Sequence, residues 1–124
     1  TIDINDNVDI SGNLVCGGTG TFAGDLIAFS SSDRNLKENI TVIPNALDKI
    51  NSISGNTFNW KSDSPNAHLG TDIGVIAQEV EALGISGLTV TRPDGTKAVR
   101  YEKLVPILIE AIKELEARVK TLEG

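Results

Sequence analysis

The sequence predicts an α+β chain: a small mixed body of short strands and helices, preceded by a β-rich fibrous stalk end and followed by a long C-terminal coiled-coil helix. Three observations predict it. Residues 1–31 are rich in Gly, Ser, Thr, Asn and Asp and carry only short alternating apolar pieces. The middle of the chain switches repeatedly between polar–apolar alternation and helical spacing. The C-terminal stretch holds apolar residues at heptad spacing.

Taken in order, residues 1–31 place Ile2, Ile4, Val8, Ile10, Leu14 and Val15 between Gly12, Gly17, Gly18, Gly20 and Gly24. That pattern predicts short strands joined by tight turns. The apolar content is too low for this segment to fold alone, so it is expected to be completed by other copies of the chain. Its first residues, TIDINDNVDIS, read as an internal point of a longer protein.

Residues 32–100 form the expected body. Pro44 opens a short helix with Leu47, Ile50 and Ile53 on one side. Thr57–Lys61 alternates polar and aromatic residues, as a strand does, with Trp60 in the core. Ile73–Ala77 is a short apolar strand. Gln78 to Leu83 continues as a helix stopped by Gly84, with Gln78 and Glu79 as structural residues at its start. Leu88–Thr91 and Ala98–Tyr101 form a hairpin around Pro93-Asp94-Gly95.

The third region, 101–124, is a long helix. Tyr101, Val105, Leu108, Ile112, Leu115, Val119 and Leu122 recur at alternating steps of four and three. Val105, Ile112 and Val119 take the a positions and the others take d. The seam Val105, Leu108, Ile112, Leu115, Val119 and Leu122 is expected to join copies of the chain, although β-branched a with Leu at d leans toward two strands. Glu114 with Arg118 and Glu116 with Lys120 are expected i,i+4 pairs.

The bulk numbers exclude several classes. The chain has 124 residues, a net charge of -6 and 11 scattered basic residues, which argues against a surface that tracks nucleic-acid phosphates or an anionic membrane. No apolar run approaches a membrane span, and no secretory signal opens the sequence. One cysteine, Cys16, stands among glycines as a small inert side chain. No metal or other cofactor is expected. His68, the one histidine, reads as a surface loop residue.

Chemistry concentrates in Ser30-Ser31-Ser32-Asp33-Arg34-Asn35-Leu36-Lys37-Glu38-Asn39-Ile40. A serine hydroxyl needs a base, and a lysine can serve where burial disfavours its ammonium form. On a regular helix, residues five apart diverge by roughly 140°. A turn, or a lysine from another chain, must bring Ser32 and Lys37 together. The plain alternative is an N-capping serine and a solvated lysine.

Four ordered segments resemble the intramolecular chaperone domain at the C-terminus of phage endosialidases, tailspikes and tail fibres, to which an autoprocessing domain of the myelin regulatory factor family is related. They are Ser32–Ile40, Asn59-Trp60-Lys61, Gly74–Val80, and Tyr101 with Leu104–Leu115, so the resemblance spans about residues 32–123. It implies a homotrimer that helps the upstream fibre or tailspike domain of the same chain to fold, then releases itself. It also implies a serine peptidase dyad, with Ser32 as nucleophile and Lys37 as general base. Asp33, Arg34 and Asn35 are candidates to orient the dyad or to stabilise an oxyanion, or else form a polar turn. Glu38 either orients Lys37 or is solvated. For attack within one chain, a five-membered ring favours the bond between Ser31 and Ser32. Attack by a neighbour would permit the Ser32–Asp33 bond. The setting implied is a virion tail fibre or tailspike precursor folded in the host cytoplasm. The rival reading is a trimeric fibre tip that is not cleaved and binds a host surface. A fragment of a membrane-bound transcription factor has no support in these residues.

Overall fold

The computed structural model describes residues 1–124, which separate into two units, Thr1–Glu38 and Asn39–Gly124. In the first unit every residue is exposed, and the only regular element is a 3-10 turn at Arg34–Leu36. The strands expected within 1–31 are therefore absent from the single chain. Ladder bonds need a partner strand, and the apolar side chains here are too few to hold one.

The second unit runs α1 (Ala46–Asn51), β1 (Asn56–Asn59), β2 (Thr71–Gly74), α2 (Ala77–Glu81), β3 (Thr89–Thr91), β4 (Lys97–Val99) and α3 (Val105–Glu123). Its strands form two separate antiparallel pairs, β1 with β2 and β3 with β4. The expected small α+β body with a C-terminal helix is present. Ala46, Val80, Leu88, Leu104, Ile107 and Ala111 form the buried core, joined at its margin by Leu47, Ile50 and Ile53.

α1 begins without help from its own N-cap. Asn45 sits in the left-handed region at φ 53° and makes no side-chain cap bond. The free amides are instead taken by Glu114 of α3. Its Oε1 accepts from the Ala46 amide at 3.1 Å and its Oε2 from the Leu47 amide at 2.6 Å. These bonds, the Leu47 one foremost, hold the Glu114 carboxyl below the usual glutamate range. The expected Glu114–Arg118 ion pair is thus displaced: Arg118 Nη2 lies 4.0 Å from Asp48 Oδ1. The Glu116–Lys120 pair forms as expected, at 3.1 Å.

β1 pairs with β2 from Asn56 opposite Gly74 to Asn59 opposite Thr71. β2 starts and stops earlier than its apolar run suggested. Beyond Gly74 the Val75 amide donates to the Tyr101 hydroxyl at 3.0 Å, so the ladder ends there. The same contact explains Gly74. A Cβ at that position would collide with the Tyr101 hydroxyl and meet the Phe58 ring at 3.4 Å. β1 ends at Asn59, short of the expected Lys61, and Trp60 is half-buried outside the core rather than in it. Its ring is edge-on to Phe58 at 5.0 Å and its Nε1 donates to Asp72 Oδ2 at 3.1 Å.

α2 ends at Glu81 with a right-handed Ala82 as its C-cap, short of the expected Leu83, and a turn then carries the chain to Gly84 at φ 72°. Glu79 of α2 accepts from the Ser54 amide at 2.9 Å and the Ser54 hydroxyl at 2.8 Å, a structural staple. In the hairpin, Asp94 Oδ1 accepts from the Thr96 amide and hydroxyl, and Gly95 takes φ 87°. The last rung is the Arg100 amide donating to the Leu88 carbonyl at 2.8 Å. Tyr101 is therefore no strand residue; it opens a 3-10 turn, Tyr101–Leu104, that leads into α3.

α3 has 19 residues and so is about 28 Å long. It carries two apolar stripes. Leu104, Ile107 and Ala111 pack into the core of their own unit. Val105, Leu108, Ile112, Leu115, Val119 and Leu122 remain exposed, Ile112 at 65%.

Two outcomes follow. Gly74→Ala should lower stability by about 1–3 kcal/mol through overpacking, seen as a lower thermal midpoint. Glu114→Gln should destabilise the chain at neutral pH, because an amide group cannot accept both amide bonds. Glu114 is depressed in the folded state, so its contribution exists above the ordinary glutamate range and fades as pH falls through the folded-state value. The gap between parent and Glu114→Gln midpoints should therefore close in acid, as thermal melts across pH would show.

Candidate active site

The chain between Ser32 and Lys37 is a short reversal. Asp33 is extended at φ -65°, ψ 131°, three residues follow in a 3-10 turn, and Lys37 is extended again at φ -124°, ψ 149°. Two backbone bonds close it: the Leu36 amide to the Asp33 carbonyl and the Lys37 amide to the Arg34 carbonyl, both 3.1 Å. The N-cap is Asp33 rather than Ser32, with Oδ1 accepting from the Asn35 amide at 2.9 Å.

This turn overcomes the divergence that a regular helix would impose. Lys37 Nζ donates to Ser32 Oγ at 2.7 Å, within one chain. That separation lies in the range a base needs to take a proton from a nucleophile. With Nζ protonated it donates; with Nζ neutral the same contact would carry the hydroxyl proton toward nitrogen. Both side chains are exposed, so this chain alone does not remove the lysine from water.

The other residues singled out from the sequence are dispersed. The Asn35 amide is occupied by Asp33 Oδ1 and is not free for an oxyanion in this state. Ser31, Arg34 and Glu38 are exposed. His68 is exposed on a 3-10 turn, Ala67–Leu69, in the other unit. Cys16 Sγ contacts the Gly18 carbonyl at 3.5 Å. No helix is long and apolar enough to cross a membrane. Reading the sequence missed the capping role of Asp33, although an Asp before a short polar turn is a recognised cap signal.

Residues 32–88 match the model of a peptidase family described as chaperone of endosialidase. The match opens on Ser32 and takes in less than half of the 124 residues. Among curated proteins, the long tail fibre proteins Gp37 of Enterobacteria phage K3 and Enterobacteria phage T2 are each 33% identical over 96 residues. Each alignment covers 75% of this chain, which spans only 8% and 7% of those two proteins.

Proposed function

We propose that this chain is an intramolecular chaperone that trimerises, assists folding of an upstream phage tail fibre or tailspike domain, and then releases itself by cleavage beside Ser32. The observation that carries this reading is the 2.7 Å contact from Lys37 Nζ to Ser32 Oγ at the start of the matched segment. The similarity to long tail fibre proteins supports the fibre setting, hence a virion precursor folded in the host cell.

The reaction proceeds by transfer of the acyl group from nitrogen to oxygen. Neutral Lys37 takes the Ser32 hydroxyl proton as Oγ attacks the Ser31 carbonyl carbon. The C–N bond breaks, the proton passes to the Ser32 nitrogen, and Ser31 is left esterified to Oγ. Water then hydrolyses that ester, leaving a carboxylate on Ser31 and an amine on Ser32. No external oxidant or cofactor enters.

Assembly is assigned to the exposed stripe of α3. Its residues repeat at heptad spacing, while the adjacent stripe is already consumed by the chain's own core. Copies held in register raise the effective concentration of the upstream strands for one another. A second reading keeps the trimer but not the cleavage, making the domain a permanent fibre tip. The exposure of both Ser32 and Lys37 favours that alternative.

Intact mass of the purified, denatured chain tests the cleavage. Fragments 1–31 and 32–124 are expected, with Ser32→Ala remaining whole yet still assembled. Lys37→Met should slow cleavage by roughly a hundredfold to ten-thousandfold, the span of general-base catalysis. A parent chain that stays whole would move the assignment to the permanent tip. For assembly, Ile112→Lys should yield a folded monomer by sedimentation and circular dichroism; a variant that still assembles through α3 would overturn the seam.

A further inference from the structure

We infer that Asp33 is a positioning residue for the Ser32–Lys37 pair: its carboxylate closes the turn that carries Lys37 back to Ser32. The inference rests on the autoproteolytic reading. Ser32 and Lys37 are five residues apart, and their side chains meet only because residues 34–36 reverse the chain. That turn is three residues long and entirely exposed, so core packing does not hold it. Its internal support is two backbone bonds of 3.1 Å. The shortest bond to a backbone amide of the turn is the one from the Asn35 amide to Asp33 Oδ1, at 2.9 Å. An uncapped 3-10 turn of this length leaves its first amides to water and competes poorly with extended chain.

The alternative role for Asp33 is a charge acting on the lysine. The contacts separate the two. Asp33 Oδ1 serves the Asn35 amide, whereas Lys37 Nζ serves Ser32 Oγ. A cap needs an acceptor oxygen at the right place, and aspartate, asparagine and serine supply it about equally. A charge effect needs the carboxylate itself.

The test compares Asp33→Ala with Asp33→Asn in the full chain, following cleavage by intact mass over a range of pH. Asp33→Ala should cleave roughly threefold to thirtyfold more slowly, the range that loss of an N-cap carries. Asp33→Asn should recover to within a few-fold of the parent, and the midpoint of the pH–rate profile should stay in place for both. An Asn variant as slow as the Ala variant, or with a displaced midpoint, assigns the carboxylate charge and overturns the positioning role. So does an Ala variant at the parent rate. A second readout is independent of cleavage. In a Ser32→Ala background, amide exchange at Leu36 and Lys37 should accelerate with Asp33→Ala and not with Asp33→Asn. If the parent does not cleave at all, the autoproteolytic reading fails by itself, and unchanged exchange would sink the positioning role separately.

Discussion

The carboxylate of Glu114 reaches from the third turn of α3 to the start of α1, where it accepts from two successive backbone amides. Much of the second unit depends on that reach. α1 has six residues and a left-handed Asn45 whose own side chain caps nothing. A helix so short does not persist in water on its own. An acceptor brought in from elsewhere satisfies its free amides, and the negative charge suits the positive end of the helix. The cap also sets the rotation of α3 about its axis. Leu104, Ile107, Ala111 and Glu114 lie on one stripe, so fixing Glu114 at α1 turns the other three into the core.

That rotation has a consequence for the neighbouring stripe. Residues one step along from the buried set, Val105, Leu108, Ile112 and Leu115, are turned about 100° away and remain exposed. A helix with one apolar stripe is satisfied by its own domain. This helix has two, and the second continues through Val119 to Leu122, where the body offers no cover. Rolling α3 to bury the heptad stripe would withdraw Glu114 from α1 and expose Ile107, which is 1% accessible. The chain's own packing therefore selects which stripe stays open.

Much of the body was legible because its signals are local. The helix after Pro44, the aromatic strand, the helix before Gly84, the hairpin at Pro93-Asp94-Gly95 and the C-terminal helix each rest on neighbours in sequence. The larger misplacements share one cause, which is a partner far away in the chain. Glu114 looked like half of an i,i+4 pair because its real partners are 67 and 68 residues distant. β2 looked longer because the Tyr101 hydroxyl, 26 residues on, takes the next amide. In residues 1–31 the alternation suggested strands, but alternation supplies only a face, and no second strand in the chain pairs with it. At the site, the residue types and the need for a turn were legible. The capping of that turn by Asp33 was not read, since Ser32 and Asp33 are both good caps and sit side by side.

The turn also decides what one chain supplies by itself. Because Lys37 meets Ser32 inside a single chain, the contact does not wait for assembly. Desolvation is different. A lysine acts as a base when its ammonium form is disfavoured, and that requires removal from water. Nothing in the single chain covers either side chain. On the proposed reading, covering them falls to the assembled copies, which the open stripe of α3 brings together. Geometry is then supplied by local sequence and reactivity by association. Such a division would keep an unassembled chain intact while leaving the pair ready in each copy, so that release follows assembly rather than competing with it.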